Sequence, residues 1–359
     1  MVNIGIGRDE KVIKNSEYRN PSPKPKFPLS RASILAFPLQ WDEYWRDVFP
    51  RRGSFIYLHA YIRYILLAAN APGSISLENG FIFGLWNIDP YRGRDLRTDR
   101  EVDNLIKLII QKHKFFEKAG IAYYFVLAPS RIRYYRNILP KYFELPDQHA
   151  MTTKMLNRMP PEMTKYFIMP DARMLEAQVQ YPDRHLFFRR DNHWNHWGRA
   201  VAASAIIQFL QTDFPELPSL NLEQIPFVVE PEDRSFCIEI RRLGVNYDLF
   251  PVPLNIKVDP SWERKYKAMQ SDPRGRSLLK MAYVSDSFME ILADQPPEIL
   301  SFSYVKRLKD SISNPATLQK VLDDKPDILL ESVYIDALAI RQFYKPFMER
   351  NADWLSLDQ

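Results

Sequence analysis

The chain has 359 residues, 46% of them hydrophobic, which is enough to bury one large α/β core, with or without an extra lobe, and excludes disorder throughout. Lys and Arg number 49 against 44 Asp and Glu, and the resulting +5 falls well short of a nucleic-acid-binding composition, so no nucleic-acid partner is expected. A lone Cys237 excludes an intrachain disulfide and suits the cytoplasm or a bacterial periplasm equally.

Residues 1–15 are polar and charged, without the basic start, apolar middle and small-residue cleavage site of a secretory signal. The run Asn20 to Pro28 holds four prolines, which remove amide donors and fix φ; residues 1–40 are predicted to be an extended Pro-rich arm, with the folded domain over 41–359. Helical spacing of apolar residues predicts helices over 41–49 and 54–70, broken at Pro50. The most apolar stretch, 55–69, is interrupted by His59 and Arg63 and is too short to cross a bilayer.

Residues 74–83, with Asn79-Gly80 at their turn, predict a β-hairpin, because that dipeptide readily takes the positive φ of a tight turn. A helix is predicted over 99–118, and Gly120 leads from it into an apolar strand over 121–128 closed by Pro129. Short apolar runs return at 166–169, 186–188, 278–284 and 328–330, several followed by helical patterns. This alternation predicts an α/β fold with a mainly parallel central sheet, in which ligands gather beyond the carboxyl ends of the strands.

Two motifs follow predicted strands. After 185–190 comes Arg190-Asp191-Asn192-His193-Trp194, ahead of a helix over 199–210. A carboxylate two residues from an imidazole can fix its tautomer and leave the other ring nitrogen as a general base. The same histidine also suits a core position among Trp194 and Trp197. Asp191, His193 and His196 offer a third reading as zinc ligands, although no further Cys or His cluster supports it and no cofactor is expected.

The second motif, Ser285-Asp286-Ser287-Phe288, follows the strand over 278–284. A serine at a strand-to-helix turn exposes its hydroxyl beside free helix N-terminal amides, which suits a nucleophile with an oxyanion hole. Ser287 and Glu290 also have capping-box spacing, so a helix cap is the competing assignment.

In order along the chain, several blocks resemble the AlgX/AlgJ-like branch of the SGNH hydrolases, associated with alginate O-acetylation. They are Trp41 to Arg52, Asn79-Gly80-Phe81-Ile82-Phe83, Gly120 to Ser130 with Leu139-Pro140, Arg190 to Trp194, Asp286-Ser287-Phe288 and Lys325 to Glu331. The resemblance implies a three-layer α/β/α SGNH-hydrolase-like fold, with Ser287 as nucleophile, His193 as base and Asp191 as its orienter, working through an acyl-serine intermediate. It implies a polysaccharide acceptor, an acetyl donor delivered by a membrane acyltransferase, and a periplasmic or cell-envelope location. The absence of a visible signal leaves the cytoplasm as the alternative. Ser285 stands where the family has glycine.

For the acceptor sugar, basic and aromatic side chains beside the motifs are candidates: Arg131 and Arg133 after the 121–128 strand, with Arg190 and Trp194 in the first motif. The expected function is a serine-dependent O-acetyltransferase acting on an exopolysaccharide or envelope glycan. A carbohydrate acetylesterase with the same triad and an inactive glycan-binding or assembly protein are the rivals.

Overall fold

In a computed structural model of the chain, the structure describes residues 22–49, 55, 58, 62, 73–77, 80–94, 96–225, 227–231, 254–258, 279–285, 304–308 and 312–355. The chain divides into two units, Met1–Gly84 with Asp233–Pro253, and Leu85–Glu232 with Leu254–Gln359.

In the first unit, Ser30 and Ser33 form a capping box that starts helix α1, Arg31–Val48, in spite of the amide that Pro38 lacks. The helix runs through the expected boundary between residues 40 and 41, and the extended arm ends earlier because the Ser30 hydroxyl supplies the first-turn acceptor. Ahead of α1 the Ser22 amide donates to the buried Asp47 carboxylate at 2.7 Å. The helix predicted over 54–70 lies outside the described residues, apart from 55, 58 and 62. Strands β1, Ser74–Ser76, and β2, Ile82–Gly84, pair antiparallel as predicted, with Gly80 at φ 82° closing the turn onto the Leu77 carbonyl.

The second unit begins with helix α2, Leu85–Tyr91. Thr98 and Glu101 form a reciprocal capping box that opens helix α3, Asp99–Lys118, the span its sequence pattern predicts. Gly120, at φ 71°, turns the chain into strand β3, Ala122–Ala128. Helices α4, Ile132–Tyr135, and α5, Ala150–Arg158, strand β4, Phe167–Ile168, and helices α6, Asp171–Gln180, and α7, His196–Leu210, follow, then an antiparallel pair, β5, Phe227–Pro231, with β6, Leu254–Val258. The remaining strands are β7, Lys280–Ser285, β8, Tyr304–Leu308, and, after helix α8, Pro315–Asp324, β9, Ile328–Tyr334. With β3 and β4 these three form one sheet in the order β4-β3-β9-β7-β8, every pairing parallel.

This is the predicted α/β architecture. Its central strands read as continuous apolar runs because both faces are covered, and β9 is buried along its whole length. Among the described residues no helix is long and apolar enough to cross a membrane.

One charged group sits in the middle of that apolar sheet. Glu331 of β9 accepts from Lys112 of α3 at each carboxylate oxygen, at 2.8 Å, and the Tyr123 hydroxyl of β3 donates to it at 2.5 Å. Burial pushes the Lys112 ammonium below its ordinary value, with Glu331 opposing the shift, and lifts Tyr123 well above its own. Removing one partner strands the other in the core. Lys112→Met is therefore expected to destabilise the fold by about 3–5 kcal/mol in denaturant melts, and Lys112→Met/Glu331→Leu to recover most of that loss. A single mutant as stable as the parent would show that the pair carries no such constraint.

Candidate active site

The segment predicted as a strand over 185–190 is instead one arm of a tight hairpin. Phe187 bridges Trp194 in antiparallel sense, the Phe188 amide donates to the His193 carbonyl at 3.1 Å, and the Asn195 amide donates to the Leu186 carbonyl at 3.0 Å. The bridge stops there because the chain must turn at Arg189 to Asn192.

Around this hairpin the neighbouring residues satisfy what it leaves open. The Tyr135 hydroxyl accepts from the Leu186 amide at 2.9 Å and the Phe187 amide at 3.4 Å, and burial pushes that phenol up to about 12, against the pull of those two amides. Asn195 serves both sides of its position. Its side-chain amide donates to the His185 carbonyl at 2.6 Å, while its side-chain oxygen accepts from the Gly198 amide and caps helix α7, His196–Leu210. Gly198 then lets the first turn of α7 lie against the hairpin: a Cβ there would sit 1.8 Å from the Leu186 carbonyl oxygen. Asn-x-x-Gly in the motif was a readable sign of this cap, and Tyr135 had none.

Held by this frame, Asp191 is fully buried, and its Oδ1 accepts from the His193 amide at 2.8 Å. The same oxygen pairs with His193 Nδ1. With Nδ1 donating to a carboxylate, the other ring nitrogen, Nε2, is the basic one. The His193 side chain keeps 11% of its surface exposed while Asp191 keeps none.

Arg131 is the residue that holds the hairpin tip. It lies beyond the end of β3, yet its guanidinium is buried and its Nη1 donates to the carbonyls of Phe188 at 3.0 Å, Arg189 at 3.2 Å and Asp191 at 2.6 Å. Nη1 is thus turned to carbonyls of the hairpin tip. Arg133 pairs through Nε with Asp171 at 2.9 Å, and Arg190 is buried. Trp194 is fully buried. Trp197 is likewise buried, with the Arg184 guanidinium 4.8 Å from its ring.

His196 faces Arg199, whose Nη2 lies 3.1 Å from His196 Nδ1, and among the described residues no group of three His, Cys, Asp or Glu gathers to hold a metal. Ser287 lies outside the described residues. Strand β7, whose last residue is Ser285, pairs there with Ser332 of β9, and β3 flanks β9 on its other side, its last residue Ala128 paired with Tyr334. The carboxyl ends of β3 and β7 therefore open on one edge of the sheet.

Residues 90–233 match the family model for the SGNH hydrolase-like domain of acetyltransferase AlgX. The resemblance carried by the motifs thus holds over this stretch, which contains Asp191 and His193 and ends before Ser287. No curated protein matches the chain. Similar solved structures include the O-acetyltransferase domain of Pseudomonas putida AlgJ, at 15% identity over 79% of this chain and 99% of that one, TM-score 0.48. Bacillus cereus PatB1 with a sulfonyl adduct is similar at 14% identity over 76% of this chain and 99% of that one, TM-score 0.49. Pseudomonas aeruginosa AlgX is similar at 15% identity over 77% of this chain and 65% of that one, TM-score 0.45.

Gly198→Ala forces its Cβ into a backbone carbonyl, which cannot rotate away as a side chain can. The variant is expected to lose about 3 kcal/mol or more in chemical denaturation. A loss within about 0.5 kcal/mol, the range of an ordinary surface change, would mean that α7 does not press on the hairpin.

Proposed function

We propose that the chain is a serine-dependent O-acetyltransferase that moves acetyl groups onto hydroxyls of an exopolysaccharide or cell-envelope glycan. The observation that carries this reading is the Asp191–His193 pair: a buried carboxylate fixing a partly exposed imidazole, in a stretch that matches an acetyltransferase domain model.

In this reading Ser287 is the nucleophile, reached from the carboxyl end of β7. His193 Nε2 takes the serine proton as Oγ attacks the acetyl carbonyl of the donor, and Asp191 stabilises the resulting imidazolium. Collapse of the tetrahedral intermediate breaks the bond to the donor, which leaves with that proton, and acetyl-serine remains. His193 then takes the proton of a sugar hydroxyl as its oxygen attacks the acyl-serine, and returns it to the Ser287 oxygen as the acetylated sugar departs. Asp191 does not itself become protonated; its burial keeps the charge-assisted bond to Nδ1 strong.

The rest of the setting belongs to the same proposal. The acceptor is a polysaccharide, the acetyl donor is supplied by a membrane acyltransferase, and the protein works in the periplasm or cell envelope. Arg133 and Arg190 are candidates for contact with an anionic sugar if the loops around them move on binding.

The test uses an acetyl ester donor with and without an oligosaccharide acceptor, followed by mass spectrometry. Acetylated sugar is expected with the parent protein, none with Ser287→Ala, and Asp191→Asn is expected to lower turnover on the order of 10⁴-fold with folding retained. Unchanged turnover in Ser287→Ala would sink the nucleophile assignment. Steady acetate release with no acetylated sugar would make the protein an esterase instead, and no turnover of either kind by the parent would favour a binding role.

A further inference from the structure

Beyond the end of β9, the chain enters the short helix α9, Ile335–Ala339, whose Asp336 is fully buried. Four groups converge on its carboxylate. Oδ2 accepts from Asn87 Nδ2 of α2 at 2.5 Å, from the Tyr334 hydroxyl at 2.5 Å and from the Ser130 hydroxyl at 3.1 Å. Oδ1 lies 3.0 Å from His149 Nε2. The Nδ1 of that histidine accepts the Met151 amide at 3.1 Å, so its ring proton sits on Nε2 and donates to Asp336. The carboxylate is thus held from α2, from β9 and from the cap of the helix Ala150–Arg158.

This cluster takes no part in the acyl-transfer steps above, yet it is covalently next to something that bears on them. Ser130, one of its donors, directly precedes Arg131, and the short helix Ile132–Tyr135 follows. That six-residue stretch, 130–135, grips the 186–195 hairpin at both ends. Arg131 takes three carbonyls at the tip, including the carbonyl of Asp191 itself, and Tyr135 takes two amides at the base.

We propose that Asp336 and Arg131 are positioning residues for the Asp191–His193 pair, the buried carboxylate fixing Ser130 and the adjoining guanidinium fixing the backbone from which Asp191 projects. The inference rests on the acyl-transfer reading only for its consequence in turnover. The physical case is separate. Carbonyls at a hairpin tip point outward from the ladder and need donors once they are buried, and a single guanidinium nitrogen, Nη1, stands within hydrogen-bond distance of all three here. A lysine ammonium carries the same charge on a flexible stem, without the rigid planar group that holds Nη1 among those carbonyls. Loss of that anchor lets the Asp191 peptide move, and the Nδ1 bond to the ring moves with it.

The readout is the downfield proton resonance of His193 Nδ1–H in the free protein, assigned by its loss in His193→Gln, together with kcat and KM for acetyl ester turnover. Arg131→Lys is expected to shift or broaden that resonance and to lower kcat by about 10- to 100-fold with KM little changed, the signature of a displaced catalytic group. Ser130→Ala is expected to act in the same direction and less strongly. An unmoved resonance and unchanged kcat in folded Arg131→Lys would overturn the proposal. Should that variant fail to fold, Ser130→Ala decides, and a resonance identical to the parent's would overturn the link to Asp336. If the resonance responds as expected while the parent turns over no acyl ester, the positioning inference stands and the acyl-transfer reading falls.

Discussion

A buried guanidinium facing backbone carbonyls is the constraint on which the candidate site depends. Arg131 reaches the tip of the 186–195 hairpin from the end of β3 and gives its protons to carbonyls two of which belong to residues in the motif or beside it. Taking a full positive charge out of water is costly unless its donors are used, so the interaction is satisfied in one geometry and poorly in others. That asymmetry makes it a positional device. The hairpin has little regular pairing of its own, a single bridge between Phe187 and Trp194, and its shape comes from what surrounds it.

The same logic appears in the other buried charges of the second unit. Glu331 sits in β9 between Lys112 and Tyr123, and Asp336 sits just after β9 among Asn87, Ser130, His149 and Tyr334. Each ties strands to covering helices by directional bonds where apolar packing alone would tolerate sliding. Glu331 lies in β9 and Asp336 two residues beyond its end, and β9 lies between β3, which leads to Ser130 and Arg131, and β7, which leads to Asp286-Ser287-Phe288.

The parts of the structure that were legible in the sequence are those governed by local rules. The Asn-Gly hairpin, the capped helix Asp99–Lys118 and the strand after Gly120 follow from turn chemistry, spacing and a positive φ. The pairing of Asp191 with His193 was legible because two residues of separation suffice for contact in almost any loop. The contacts of Arg131 were not legible, for an equally physical reason. An arginine after a strand's carboxyl end is near the ligand edge, but nothing in a sequence marks backbone carbonyls that will need a donor once a distant hairpin closes over them. The burial of Trp194 was not legible from composition either, since an aromatic side chain can face a sugar or fill a core. The arm before residue 41 was taken as extended from its prolines, whereas the Ser30 cap was the stronger local signal.

Asp191 and His193 divide a single task by exposure. A carboxylate that orients an imidazole works best dry, because water would compete for the Nδ1 proton and weaken the bond by screening. A general base works only if its other nitrogen reaches the proton it removes, so the ring must present an edge to the cleft. Adjacent positions on a regular strand alternate between faces and positions two apart share one, which would bury or expose both residues together. The irregular tip between Arg189 and His193 escapes that rule: Asp191 is wholly buried there while 11% of the His193 side chain stays exposed. A regular strand over 185–193 could not have made this arrangement, so the loss of strand structure after the Phe187 bridge is a condition of the site. It is also why the backbone there needs Arg131 in place of a ladder partner.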